Sequence, residues 1–511
     1  TPPTGMSIKA GEEIYLYNVE ADAFFLGAND WTTRASVDGV RGYKVWLEKA
    51  EGDETSYYIT NLIEDGIHAG KTMYVYIGSG NGFENIWVDN EKTSENDKLF
   101  SFEDQGDGTY KIAPSALNVI NTPTEYPGAY LGIIPEKGDT RLYFCDPEIY
   151  AAPDFNPENY QIVWSLVSPA DYTAYVTAKK TWIAAVNLGT AIDKAKTENA
   201  GIDLSEVEAV YNNQSSTEAQ LTEASAKLVE LVMAFQTLTA SPEKPADYTP
   251  FITNATFDNN NKDGWSGSNP GFQSFGNAEF YWTNYDINQT ITGLKNGVYR
   301  VAVTGFYRAG WADADATAYQ KLLEEGDATA QNAKLYAKSS VLANATASLP
   351  LASKGASDTS ITNEELQNSY GYIPNAMVSA AYYVENGRYE PTTLLTIVND
   401  GTLTIGLKKN VQLDGDWTIF DNWALHYLGD SDEAYNVLVQ EYLGNAFDYE
   451  SYINSTDDVY YQKSVYEAFL AAQTALANAT NKDEIIPAIS AYDAAAAQLK
   501  ASLEAYGVKK L

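Results

Sequence analysis

Four aromatic side chains and one guanidinium carry the most specific chemistry in this sequence. Tyr281, Trp282, Trp311 and Trp417 fall at loops or strand ends of one stretch. Arg308 sits in the string Phe306-Tyr307-Arg308-Ala309-Gly310-Trp311. An aromatic face is a flat apolar platform, and a guanidinium beside it offers directional donors. Together they suit a polar, ring-shaped ligand whose C–H faces stack while its hydroxyls are hydrogen-bonded. Such chemistry recognises a ligand and breaks no bond. Core packing is the commoner use of a tryptophan, and Trp265 and Trp423 read that way. Trp282 and Trp311 lie beside polar, Gly-containing loops and are expected to be exposed. Near the chain start, Trp31 in Ala28-Asn29-Asp30-Trp31 is a further exposed candidate.

Catalysis has less material. A glycosidase needs only two carboxylates roughly 5–9.5 Å apart, and 69 Asp and Glu supply those by number alone. The two histidines, His68 and His426, are far apart in sequence, which leaves little for a Ser–His–Asp triad or a His-rich metal centre. No Gly-rich phosphate loop, His-Glu-x-x-His or Gly-x-Ser-x-Gly occurs. Gly264-Trp265-Ser266-Gly267 is one residue short of the last. The expectation is a chain without catalytic residues of its own.

Composition narrows the partner. Sixty-nine acidic against 33 basic residues give a net charge of -36, which disfavours nucleic acid and anionic membrane. The excess chiefly serves solubility and leaves carboxylates available for calcium. Cys145 is the one cysteine, so no internal disulfide forms. It sits in an alternating apolar run and reads as a buried structural thiol. No run of about 18 apolar residues appears, so no membrane-spanning segment is expected. The 38 Tyr and 10 Trp, with plentiful Asn, Thr and Gly, match extracellular β-rich binding modules. The polar opening Thr1-Pro2-Pro3-Thr4-Gly5 reads as the trimmed end of a mature protein. The expected location is extracellular or the outer cell surface, after signal-peptide removal.

At 511 residues several domains are expected. Residues 1–168 carry short strands and an internal repeat. Tyr15-Leu16-Tyr17, Tyr74-Val75-Tyr76 and Tyr130-Leu131-Gly132 recur 59 and 56 residues apart. Each is followed by a second apolar cluster (Phe24-Phe25-Leu26, Ile86-Trp87-Val88, Leu142-Tyr143-Phe144). A third follows (Val45-Trp46-Leu47, Phe100-Ser101-Phe102, Trp164-Ser165-Leu166). Three units of four short strands describe a β-trefoil, with Met6–Ile8 available to complete the third. The segment resembles ricin-type trefoils of secreted gut-bacterial proteins. Their Gln-x-Trp signature is absent; Gln161-Ile162-Val163-Trp164 is the nearest string.

Residues 169–245 and 430–511 switch to helical period. Leu221, Ala224, Leu228, Leu231, Phe235 and Leu238 share one helix face behind a Ser215/Glu218 capping pair. A helix from about Tyr172 toward Thr197 and a short one at Leu204–Tyr211 precede it. Ile485, Ile489, Tyr492, Ala496, Leu499 and Leu503 form a second face, capped by Asn481 and Glu484. Val465, Phe469, Ala472 and Leu476 form the helix before it. Both segments resemble FIVAR-like three-helix modules, which implies spacers.

Residues 246–429 read as an antiparallel β-sandwich of jelly-roll or galactose-binding-like type. Strands are expected at Phe251 to Phe257, Ile287–Ile291, Val298 to Tyr307, Leu394–Val398, Leu403–Leu407 and Trp417–Tyr427. Asn399-Asp400-Gly401 is a hairpin turn, and a helix follows Pro374. The opening Asn254-Ala255-Thr256-Phe257-Asp258, then Gly264-Trp265, and the closing Phe420-Asp421-Asn422-Trp423-Ala424-Leu425 resemble carbohydrate-binding modules of that type. The resemblance implies a structural Ca²⁺ held by Asp258 and Asp421, with Asn254. Carboxylates from both ends of a sandwich would then pin its termini together. It also implies glycan as the partner, free or on a host or cell-surface glycoprotein. Two other readings stay open: a protein-binding adhesin, and the accessory binding region of a larger glycoside hydrolase. A strip of aromatics flanked by Asn, Asp and Arg would favour sugar; a flat apolar patch on a helical module would favour protein.

Overall fold

A computed structural model describes the chain except residues 31–32, 79–84, 92–97, 119–123, 125, 149–154, 274, 313, 353–372, 445–462 and 506–511. It is multidomain and β-rich with helices, and its described strand ladders are antiparallel. One compact unit comprises residues 1–194 and 205–226; the other comprises 195–204 and 227–511. Among the described residues no helix is long and apolar enough to cross a membrane.

In the first unit, β1 (Tyr15–Asn18), β2 (Ala23–Asp30), β3 (Arg34–Asp38) and β4 (Val45–Lys49) come first. They are followed by β5 (Ser56–Leu62), β6 (Thr72–Ile77), β7 (Ile86–Asp89), β8 (Leu99–Asp104) and β9 (Tyr110–Pro114). A hairpin of β10 (Tyr130–Gly132) and β11 (Tyr143–Cys145) stands apart, and β12 (Val163–Val167) ends the series. The ten-stranded order is β4-β5-β6-β7-β3-β2-β1-β12-β9-β8, and pairing of β5 with β8 closes it into a ring. Closure removes most of the exposed strand edge. The repeated clusters point into one core: Leu16, Val75 and Leu131, then Phe25, Val88 and Phe144, then Leu47, Phe100 and Trp164. Met6 donates its N–H to Leu166 beside β12. Cys145 is buried, and burial pushes its thiol up.

Helices α1 (Pro169–Glu198), α2 (Ser205–Asn212) and α3 (Glu218–Leu238) follow. Tyr172 of α1 stacks on Tyr15 with centroids 3.6 Å apart. The cap of α3 is a correction. Thr217 Oγ1 accepts from Gln220 N–H, and Gln220 Oε1 accepts from Thr217 N–H, so the capping box lies two residues beyond Ser215/Glu218. Along the expected face Leu221, Ala224 and Leu228 are buried, whereas Leu238 is 82% exposed.

The second unit holds two five-stranded sheets. The first contains β13 (Ala246–Asp247), β15 (Ala278–Tyr281), β17 (Gly297–Arg308), β20 (Thr392–Val398) and β22 (Trp417–Gly429). Its order is β13-β22-β17-β20, with β15 also on β22. The second contains β14 (Ser266–Gly267), β16 (Tyr285–Ile291), β18 (Lys334–Lys338), β19 (Ala345–Ser348) and β21 (Leu403–Lys409), in the order β14-β16-β21-β18-β19. Tyr299, Val301 and Val303 of β17 meet Ile287, Leu335 and Ile405 of the other sheet in one core. The period-2 pattern of β17 dictates this face. Two helices lie in the excursion after β17: α4 (Ala314–Glu324) and α5 (Met377–Glu385). The expected strand at Phe251 to Phe257 is not formed. Thr249–Phe251 is a 3₁₀ turn, and Asn254 and Phe257 take φ of 54° and 52°, outside any strand conformation.

Helices α6 (Asp432–Gly444), α7 (Lys463–Asn478) and α8 (Lys482–Ala505) end the unit. Asn481 Oδ1 accepts from Glu484 N–H, as the cap pair requires. Leu438, Phe469, Ile489 and Leu499 do not build a separate core. They share one with Val298, Leu395, Ile397 and Leu428 from the outer face of the β17 sheet.

Candidate functional site

Three loops of the second unit meet at one aromatic cluster. The turn after β15 brings Tyr281 and Trp282, the loop after β17 brings Trp311, and the loop between β21 and β22 brings Gly415. Trp282 and Trp311 lie 5.4 Å apart between centroids, edge to face, and Tyr281 and Trp311 lie 6.4 Å apart. All three are exposed, by 48%, 43% and 40% in chain order. Aromatics on a stable surface normally bury more, so an open cluster is an available contact surface. Gly415, at φ 70°, lets the loop pass under the indole of Trp311. A Cβ there would stand 2.3 Å from that ring, so no other residue fits. Trp282 takes φ 47° and donates its N–H to Asp416 O. For a tryptophan this backbone is strained and must be held by its surroundings.

The holding is done from below. Lys409 and Asp416 form an ion pair in which both side chains are 1% exposed. Tyr307 Oη donates to Asp416 Oδ2 at 2.7 Å, and Leu413 N–H donates to the same oxygen. Burial, with the Asp416 charge adding to it, pushes the Tyr307 phenol far up, so it stays a donor. A buried pair persists when extra hydrogen bonds satisfy it, and this one ties the 410–416 loop to β17 and β21.

Arg308 and Trp417 are corrected by the same geometry. Arg308 is 2% exposed. Its Nε donates to Gly310 O and its Nη2 to Gly415 O, while Nη1 reaches Asn375 Oδ1. The guanidinium lies 5.0 Å from the Trp417 ring, itself buried, whose Nε1 donates to Glu279. Both side chains are buried and present no surface to an external ligand. Together they fasten the two loops that present Trp311. Trp31 lies outside the described residues. Beside Trp311 opens a cleft of about 390 Å³ lined by Gly310, Asp315, Tyr319, Gln412, Leu413 and Asp414. Its carboxylates and amide, on the segments that also present Trp311, supply hydroxyl acceptors and donors.

The expected calcium residues are partly brought together. Burial pushes the Asp421 carboxyl up to about 7, and the Asp258 and Glu385 carboxylates add to the effect. Asp421 accepts Asn422 N–H, and no cationic side chain pairs with it among the described residues. Asp258 accepts from Thr256 Oγ1. Asn254 spends its side-chain N–H on Asn261 O, and its own carbonyl accepts Trp265 Nε1. Facing carboxylates without a counter-charge suit a hard oxygen-seeking cation. Among the described residues, however, no three of His, Cys, Asp and Glu are placed to hold a metal; any further ligands would be carbonyls or waters. Glu385 carries no motif, and only its place at the end of α5 brings it here.

No family model matches the chain, and no curated protein matches it. Solved structures with local likeness include a CBM61 module in complex with β-1,4-galactotriose, at 13% identity over 35% of this chain and 97% of that one, with TM-score 0.21. A GH43 β-1,3-galactosidase shares 14% identity over 32% of this chain and 28% of its own, with TM-score 0.22. Type II water-soluble chlorophyll-binding proteins share 14% identity over 33% and 98%, with TM-score 0.23. At such scores these likenesses fix neither the fold nor the function of this chain.

Proposed function

We propose that the second unit binds glycan without altering it, a sugar ring stacking on Trp311 with Trp282 and Tyr281 around it. The observation that carries this is the exposed aromatic cluster, held rigid by a buried ion pair and set beside a polar cleft. Asp315, Gln412 and Asp414 read hydroxyls in that cleft. Rigidity matters because an ordered platform loses little entropy when it engages a sugar. In this reading Asp258 and Asp421 hold a structural Ca²⁺ that fixes the sandwich ends. Residues 1–168 are a ricin-like trefoil, 169–245 a FIVAR-like three-helix spacer, and 430–511 a second such bundle that braces the sheet. The protein works outside the cell or on its surface.

The test is a glycan array on the full chain, with calcium and again with chelator. A related set of neutral glycans is the expected outcome, weakened by chelator. A blank array at high protein concentration would contradict the reading and favour a protein ligand.

A further inference from the structure

Three lysines, Lys338, Lys408 and Lys500, line a second cleft of the same unit, and a fourth, Lys334, stands next to Lys408 on the same sheet face. The cleft measures about 1090 Å³ and lies between the outer face of the β18–β21 pair and helix α8. Leu335 and Ala337 point into the core, so Lys334, Tyr336 and Lys338 line the opposite face of β18. Lys334 stands directly across from Lys408 in the β18–β21 ladder. Like charges opposite each other destabilise a sheet, so the pairing needs another reason. Lys338 and Lys408 place their Nζ atoms 5.3 and 5.1 Å from the Tyr336 ring centroid. Lys500 of α8 lines the facing wall. Burial, and then the charge of Lys500, holds the Lys334 ammonium below the usual lysine range.

Among the described residues no carboxylate forms an ion pair with any of the four, and Lys334 donates to Ser348 Oγ. The acids nearby are otherwise engaged. Asp286 faces Lys408 across the β16–β21 ladder but accepts the Tyr336 hydroxyl. Two acids line the cleft itself: Asp493, which accepts Ala343 N–H and the Asn344 amide, and Glu441, whose carboxyl burial pushes up against the lowering charge of Arg300. A chain of net charge -36 has acids to spare, yet among the described residues it pairs none of them with these lysines. Ala496, Ala497 and Ala501 of α8 keep the facing wall shallow.

We propose that this cleft is a second ligand site, which takes an oxyanion-bearing sugar (a uronate or a sulfate ester) with Lys338, Lys408 and Lys500 around the anion and Lys334 adding its charge from beside the cleft. Asn344, Thr346 and Ser348 on its wall serve the sugar hydroxyls. The acidic remainder of the chain disfavours a long polyanion. The site shares no residue with the aromatic platform; only the choice of a sugar as carrier of the anion rests on the reading of that platform.

The experiment is calorimetric titration of the full chain with trigalacturonate, 6-sulfated lactose, lactose and inorganic sulfate. It is run on the parent, on Lys338→Ala/Lys500→Ala and on Trp311→Ala. Lys338 and Lys500 are exposed, so the double variant should melt like the parent. At least one acidic sugar should bind the parent and weaken about tenfold or more in the double variant, with Trp311→Ala unaffected. The uronate and sulfate arms identify the source of the anion. Failure of both acidic sugars to bind, or equal binding by the double variant, overturns the proposal. Loss in Trp311→Ala alone would move the anion to the platform and overturn it too. Inorganic sulfate binding as tightly as the sugars would overturn the sugar assignment. Acidic sugars binding the cleft while neutral glycans ignore Trp311 would refute the platform reading and leave the cleft standing.

Discussion

Asp416 just before β22 and Asp421 within it are five positions apart, the first fully buried and the second half-buried, and their surroundings are opposite. Asp416 is fully buried and paired: its Oδ2 meets the Lys409 ammonium and accepts from Tyr307 and Leu413, while its Oδ1 has no hydrogen-bond partner among the described residues. Asp421 faces the carboxylates of Asp258 and Glu385 and has one backbone donor. The first arrangement locks a loop. The second favours the protonated carboxyl, because an ionised carboxylate withdrawn from water without a counter-charge is costly. A buried acid thus marks a strut where its partner is built in; at Asp421 the proposed calcium would supply the partner.

The contrast is broken most severely at Lys409. Lys409→Met leaves Asp416 charged and alone, which should cost about 3–5 kcal/mol, seen as a lower denaturant midpoint at unchanged slope. A loss below about 1 kcal/mol would mean that the pair is not a strut. Asp421 is next, and the sign is opposite. Its folded pKa of about 7 exceeds the ordinary 3.8, so the folded state binds more protons between those values. Calcium-free stability should therefore fall as pH rises from about 4 to 7 and level off above. Asp421→Asn removes this slope and should be more stable than the parent at pH 8, on the order of 2–4 kcal/mol. Added calcium should raise the melting temperature of the parent at pH 8 and leave that of Asp421→Asn unmoved. Parallel pH profiles for both proteins would remove Asp421 from the account. The smallest effect is Tyr307→Phe, which takes one donor from Asp416 and should cost about 1.5 kcal/mol by the same denaturant measurement.

Features encoded locally were legible in the sequence. The alternation of β17 sets its core face, and Asn481 caps α8. The Asn399-Asp400-Gly401 string turns the chain but is no hairpin: it carries β20 of one sheet into β21 of the other, and the two strands do not pair. Features set by distant partners were not. Arg308 and Trp417 look like ligand contacts because their neighbours in sequence are loop-like. They are buried because Asn375, Gly415 and Glu279 come to them from elsewhere in the fold. The opening string 251–257 has strand-like residues, but Asn254 and Phe257 in left-handed conformations turn it into a loop. Around residue 217 two capping strings overlap, and Thr217/Gln220 prevails over Ser215/Glu218. The lysine cleft had no sequence signal, since its members meet only through strand register and the packing of α8.

The most direct measurement for the central claim is calorimetric titration of the best neutral glycan from the array into the parent and into Trp311→Ala. Loss of one stacking face should weaken binding about tenfold or more, equivalent to roughly 1.4 kcal/mol, with the melting temperature preserved. Equal affinity in the two proteins would contradict the account and place the sugar somewhere other than the Tyr281–Trp282–Trp311 cluster.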